Sequence, residues 1–209
     1  MKKPEATTIT DAWGWRCLRL VTPFLAIISS LLLRSACSSA CAIALFASTR
    51  NIDLDGHDNC TYRKTGIEEA QPDVSFYLGA NAERVPWDAT IIDLNTYPPP
   101  DLVIEVAYSS LADDKGEKRL LYESLGDCEY WIIDVQNVQV LAFEIQNRGS
   151  RRIDSSQVLP GLDIALLEEA FRRSRQMNHG KVTAWLLSQF QSWAIAPTVH
   201  PLHLSVRSR

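Results

Sequence analysis

Asp101–Ala107, DLVIEVA, is the clearest strand in the chain. Its short apolar, β-branched run fits a buried position in a sheet. Side chains alternate across a strand, so Leu102, Ile104 and Val106 share one face, and Asp101, Val103, Glu105 and Ala107 share the other. Glu105 therefore sits mid-strand among apolar neighbours, where a carboxylate is costly unless it is paired or binds a metal. A salt bridge to a helix lysine or arginine, a solvated edge position and a functional role all fit that placement.

Working outward, Pro98, Pro99 and Pro100 form a stiff entry to this strand. Upstream, Asp73–Leu78 (DVSFYL) reads as a short strand and Trp87–Leu94 holds a second. Downstream, Asp113–Leu125 (DDKGEKRLLYESL) reads as a helix closed by Gly126. Tyr130–Val135 and Val138–Ile145 read as strands joined by a tight turn at Gln136 and Asn137. Two helices follow, near Ile164–Gln176 and Lys181–Phe190, the last with Val182, Leu186 and Phe190 at helical spacing. Asn51–Asn59 (NIDLDGHDN) reads as a polar loop. Asp53, Asp55 and Gly56 fit three positions of a calcium loop, but Tyr62 stands where its bidentate glutamate belongs, so a calcium site is rejected. The alternation of strands and helices predicts an α/β (α+β) domain whose mixed central sheet is flanked by helices.

Bulk properties set limits. The 209 residues are 46% hydrophobic, enough for a real core and one domain with length to spare. A formal net charge of -4 argues against a protein held on nucleic acid by bulk positive charge, but it leaves room for a local basic face and a metal ion. Five scattered cysteines (Cys17, Cys37, Cys41, Cys60 and Cys128) form no C-x-x-C pair and no even set, which reads as free thiols in a reducing compartment.

The first fifty residues are unlike the rest. Leu20–Leu33 is an uncharged apolar run that as a helix reaches roughly 21 Å, short of a bilayer core of roughly 30 Å. Arg34 interrupts it before a second apolar run, Ser35–Ala47. Four readings stand: a secretory signal led by Lys2, Lys3, Arg16 and Arg19, a membrane anchor that snorkels Arg34, a buried or interfacial helix, and a segment foreign to the domain. The last two together come ahead of the membrane readings. The domain plan is accordingly 1–50 as an atypical apolar segment, 51–192 as the mixed α/β domain, and 193–209 as a loose tail.

Chemistry concentrates on Asp73, Glu105 and Lys118. Two carboxylates on neighbouring strands can share a hard cation such as Mg²⁺, which prefers oxygen ligands and keeps several waters. Lys118, on the next helix and sharing a face with Tyr122, can stabilise charge on a phosphate oxygen or help to activate water. Acid, acid, metal and lysine are the parts of phosphodiester hydrolysis. Asp101 shares the face of Glu105 but lies roughly 13 Å along the strand, so it ranks behind.

QPDVSFY (71–77) followed by PPPDLVIEVAYSSLADDKGEKRLLYESLGDCEYWIIDV (98–135) resembles the core of the Uma-type (Uma-two) restriction endonuclease family, in the PD-(D/E)XK nuclease superfamily. The resemblance covers roughly 140 residues. It implies a restriction-endonuclease-like fold, a DNA substrate, Mg²⁺ (or Mn²⁺) dependence, and Asp73 and Glu105 as the metal-binding acids. The superfamily's lysine belongs at Ala107, and the resemblance suggests that a helix lysine substitutes, Lys118 matching better than Lys115. The family's N-terminal helix and hairpin are not visible in residues 1–50.

The expected function is a Mg²⁺-dependent DNA endonuclease acting through metal-activated water. The alternative is an inactive or truncated relative that binds DNA or a partner protein. A cytoplasmic location is expected, with membrane association through residues 20–47 as the alternative. A homodimer is left open because many restriction-type nucleases cut as dimers. Glu129, Tyr130, Trp131 and Asp134 read as core packing and a strand end, and Trp185 as core. Arg172, Arg173 and Arg175 read as a solvated helix face ahead of phosphate contacts, and His200 and His203 as a weak pair in the tail.

Overall fold

The computed structural model describes residues 31–108, 110–126 and 128–194. Most of the Leu20–Leu33 run lies outside them, as do residues 1–19 and the tail with His200 and His203. A helix, α1 (Leu31–Thr49), opens the described chain. Five strands follow: β1 (Leu54–Asp58), β2 (Thr61–Arg63), β3 (Val74–Leu78), β4 (Ile91–Asp93) and β5 (Leu102–Ala107). A short α2 (Leu111–Asp113) runs through a π turn, Asp114–Lys118, into α3 (Arg119–Leu125). Then come β6 (Glu129–Asp134), β7 (Gln139–Gln146), β8 (Gly149–Ile153), α4 (Ile164–Ser174) and α5 (His179–Ala194).

Six strands form one mixed sheet in the order β1-β3-β5-β6-β7-β8. β5 and β6 run parallel, and the other neighbours are antiparallel. A parallel pair needs a crossover, and the α2–α3 segment supplies it. Both faces of the sheet are covered. One face packs Leu102, Ile104 and Val106 against α1, α4 and α5, with Ile43, Phe46, Leu167 and Phe190 in the same cluster. The other packs Val103 and Ala107 with Tyr122, Tyr130 and Ile132 beneath α3. The two-sided burial of β5 is why it reads as a nearly continuous apolar run.

α1 belongs to the core of this domain. Ala40, Ile43, Phe46 and Ala47 recur at helical spacing and are buried. Phe46 meets Phe190 of α5 edge to face, with ring centroids 5.1 Å apart. Asn51 then takes a left-handed φ of 55° just past the helix end, a conformation that asparagine tolerates, while Ile52 donates its N–H to the Ala47 carbonyl. The sequence-based domain start at residue 51 therefore lies beyond a helix that packs into the same core. Among the described residues no helix is long and apolar enough to cross a membrane. Phe46→Ala is expected to cost about 3–5 kcal/mol by leaving a cavity between α1 and α5. The shift of the urea midpoint measures it, and a cost under about 1 kcal/mol would mean that α1 is not integral to the fold.

Three short elements depart from the sequence reading. Residues 54–58, read as loop, form the edge strand β1 by pairing along β3, with Gly56 opposite Phe76. The segment LDGHD lacks apolar alternation because its pairing comes from main-chain bonds to an already buried neighbour. The strand expected within Trp87–Leu94 shrinks to β4, which pairs in parallel with β2 in a separate two-stranded sheet. β8, GSRRI, was also unread, since its polarity reflects its place on the opposite edge of the main sheet.

Candidate active site

The register of β3 and β5 sets Val74 against Ile104, so the next position along brings Asp73 beside Glu105. The Asp73 carboxylate accepts the Val106 N–H at 2.7 Å, which anchors it at the mouth of β3. The two acids thus meet on the face of the sheet that α3 covers.

Lys118 is delivered to the same place from the π turn. Its Nζ lies 3.0 Å from Glu105 Oε2 and 3.0 Å from Asp114 Oδ1. One turn further on, the Tyr122 hydroxyl donates to Glu105 Oε1 at 2.7 Å. The shared helix face of Lys118 and Tyr122 therefore converges on one carboxylate. Asp114 is almost wholly buried and also accepts from the Ser110 hydroxyl at 2.7 Å. Its own main-chain carbonyl accepts from the Tyr130 hydroxyl at 3.0 Å, and the Tyr130 ring stacks on Tyr122 at 4.8 Å. π turns inside helices are frequent at functional sites, and this one carries both Asp114 and Lys118.

The electrostatics follow from burial. Glu105 is only 3% exposed, and that burial pushes its carboxyl up to about 7, opposed by Lys118 and Tyr122 and reinforced by the nearby Asp73. Burial works against the Lys118 charge too, but Glu105 and Asp114 outweigh it and hold the ammonium above its ordinary range. The Tyr130 hydroxyl is held protonated by burial and by the acids around it. Lys118 itself keeps 41% of its side chain exposed, so it joins a buried acid cluster to solvent. Glu105 and Asp114 contact the one ammonium and Asp73 lies beside Glu105, so acids outnumber the ammonium here.

That excess suits a divalent cation. Among the described residues no group of three His, Cys, Asp or Glu side chains is arranged to hold a metal. Lys118 bridges both Asp114 and Glu105, and of the two it is Glu105 that the strand register sets beside Asp73, which makes Asp73 and Glu105 the candidate pair of oxygen donors. Two carboxylates completed by water is a donor set that Mg²⁺ accepts, so the residues fit the ion.

Other sequence-based candidates have different partners. Asp101 accepts the Leu78 N–H at 2.7 Å and the Asn81 side-chain amide at 3.0 Å, which makes it a clamp between β3 and β5. Arg172 and Arg173 pair with Glu169, Arg173 also stacks on Trp185, and Arg175 donates to the Val135 carbonyl. They brace α4, in line with the reading against phosphate contact. Lys115, the alternative lysine, is exposed, and Lys118 is the one that reaches Glu105. Two residues were missed. The Asp114–Lys118 spacing of four was legible as a same-face ion pair. The role of Glu129, described below, carried no signal beyond an acid at a strand end.

The family model Uma2, described as "Putative restriction endonuclease", matches residues 37–178. The chain belongs to the Uma2 family. The match begins within α1 and ends between α4 and α5, so it spans the whole acid cluster. Membership places this Uma2 protein among restriction-endonuclease-like nucleases. A solved structure titled as a putative nuclease belonging to DUF820 from Anabaena variabilis ATCC 29413 is 18% identical to it, with a TM-score of 0.42 over 73% of this chain and 80% of that one. No curated protein matches the chain.

Proposed function

We propose that this Uma2 protein is a Mg²⁺-dependent DNA endonuclease whose working residues are Asp73, Glu105 and Lys118. The observation that carries the reading is the position of Lys118, whose ammonium bridges Glu105 and Asp114 beside the Asp73 carboxylate while remaining open to solvent.

Asp73 and Glu105 would hold the cation, which when bound supplies Lewis-acid stabilisation of negative charge on a phosphoryl oxygen. The protein's own groups do the rest. The Val106 N–H fixes Asp73, and the Tyr122 hydroxyl fixes Glu105, so neither acid needs to reorganise when substrate arrives. In the hydrolysis a water oxygen bonds to phosphorus as the bond to the leaving sugar oxygen breaks, the water giving up a proton to solvent and the leaving oxygen taking one up to become a hydroxyl. Lys118 places a preorganised positive charge where the phosphoryl group gains negative charge. Asp114 is a positioning residue. It holds the lysine together with Glu105, and the Ser110 hydroxyl holds Asp114.

The test is nicking of supercoiled plasmid by purified protein with Mg²⁺ or Mn²⁺, against EDTA and a Lys118→Met variant. Metal-dependent nicking that falls by about 100-fold or more in the variant is the expected result. Well-folded protein that leaves DNA intact under all these conditions would sink the reading in favour of a binding module with a retained nuclease fold. Asp114→Asn is expected to lower the cleavage rate by about 10–100-fold without unfolding the protein, because it loosens the lysine rather than removing it. An unchanged rate would strip Asp114 of the positioning role.

A further inference from the structure

Beside Glu105 a row of aromatic side chains runs from α3 over β6 to β7, and Arg152 of β8 stands at its end. Tyr122 bonds to Glu105 and stacks on Tyr130, and Tyr130 in turn stacks on Phe143 at 6.5 Å. At the far end of this row the guanidiniums of Arg119 and Arg152 both lie over the Phe143 ring, 5.3 Å and 5.7 Å from its centroid. Arg119 is the residue after Lys118, and Arg152 stands directly across from Phe143 in the β7–β8 register.

These two arginines differ from those on α4. Arg172 and Arg173 are neutralised by carboxylates that they contact directly. Among the described residues the carboxylate nearest the Phe143 pair is Glu123, 3.9 Å from Arg119 and also bound by the Ser150 hydroxyl. Arg152 has no carboxylate within ion-pair distance among them. It is exposed and spends one amino group on the Val140 carbonyl. Two cations gathered on one ring gain from its negative face but repel each other. An anion bridging them would convert that repulsion into two charge-assisted hydrogen bonds.

We infer that Arg119 and Arg152 form a seat for a backbone phosphate of the nucleic-acid strand bound at the acid cluster. The identity of the ligand rests on the nuclease reading. Three strand spacings separate β5 from β8, roughly 14 Å. A separation of that size spans more than one phosphate of a nucleic-acid strand, so one bound strand can reach both the bond at Glu105 and the seat. A strand reaching both places would be held at two points, by Lys118 and the cation at one end and by the arginine pair at the other. This local basic end is how a protein of net negative charge keeps hold of a polyanion.

The test is binding of a labelled duplex of about 20 base pairs in EDTA, followed by anisotropy over a salt series. Each phosphate contact contributes about 0.9 to the slope of log affinity against log salt on duplex DNA. Arg152→Gln is expected to flatten the slope by about one and to weaken binding several-fold at low salt. Arg152→Lys should restore the slope, and Arg173→Gln should leave it unchanged. A merely structural role on Phe143 predicts a lower melting temperature for both Arg152 variants with the wild-type slope, and that pattern overturns the inference. So does wild-type protein that binds no duplex. Plasmid cleavage reads the nuclease proposal separately. Cleavage with an unchanged Arg152→Gln slope removes only the seat, and a flattened slope without cleavage removes only the nuclease.

Discussion

Glu105→Gln is expected to lower DNA cleavage by at least about 100-fold while leaving the metal-free protein as stable as the parent or more so. The two effects share one cause. The carboxylate is buried and titrates at about 7 in the folded protein against an ordinary value of 4.5. A carboxyl whose folded value is raised contributes stability below about pH 4.5 and loses it as pH rises through about 7. The parent protein therefore carries a cost above pH 7 that is bounded by roughly 3 kcal/mol. Glutamine keeps the shape and the Tyr122 hydrogen bond but cannot ionise, so this cost disappears together with the metal-binding oxygen. Thermal melts of both proteins in EDTA from pH 4 to pH 9 would show parallel behaviour at the acid end and divergence between about 4.5 and 7. A variant that cleaves normally, or that melts well below the parent at pH 8, would mean that Glu105 is a structural ion-pair residue.

The second large effect falls on stability alone. Glu129 is fully buried at the start of β6 and accepts four hydrogen bonds: from the Trp131 indole N–H at 2.8 Å, the Ser156 hydroxyl at 2.9 Å, the Val158 N–H at 3.1 Å and the Gln157 N–H. Burial pushes its carboxyl up, and the donors around it offset part of that rise. Glu129→Ala would leave two main-chain donors, an indole and a hydroxyl inside the protein without an acceptor. Each orphaned group costs about 1–3 kcal/mol. An overall loss of about 3–5 kcal/mol is expected even if water enters the gap, against a typical total stability of about 5–15 kcal/mol. The shift of the urea midpoint at constant slope reads it. A loss below about 1 kcal/mol would show that the loop from Ser155 to Leu162 is held by other contacts.

The legible parts of this chain are those in which burial and chemistry leave a mark on residue type. β5 carries its two-sided burial in the run LVIEVA, and the alternation of that run assigned each residue to the face it occupies. The pairing of Asp73 with Glu105 followed from placing two acids on neighbouring strands, and Lys118 from its place on the next helix. Asp114 escaped notice because DDKG reads as an ordinary charged helix start, and only the π turn shows it facing inward. α1 was legible as apolar, with a buried helix among four readings left open, but not as part of this domain's core. Its alanines and serines suit close packing on a sheet as well as they suit a bilayer or a signal. β1 and β8 were invisible for the opposite reason, since strands with one open side need little apolar content of their own.

Those two outer strands have a consequence for how the protein behaves at high concentration. An open sheet edge is a template on which another chain can add a strand. Here one edge ends in the five residues LDGHD and the other in the five residues GSRRI. Each is short and charged, with Asp55 and Asp58 on one and Arg151 and Arg152 on the other. Pairing two copies through the same strand would bring like side chains together and bury ion pairs such as Asp55–His57 on β1 or Arg151–Glu144 at β8, at a desolvation cost. The shortness and polarity that hid these strands from the sequence reading therefore work against symmetric edge-to-edge addition, and that protection would be lost if either edge were made apolar.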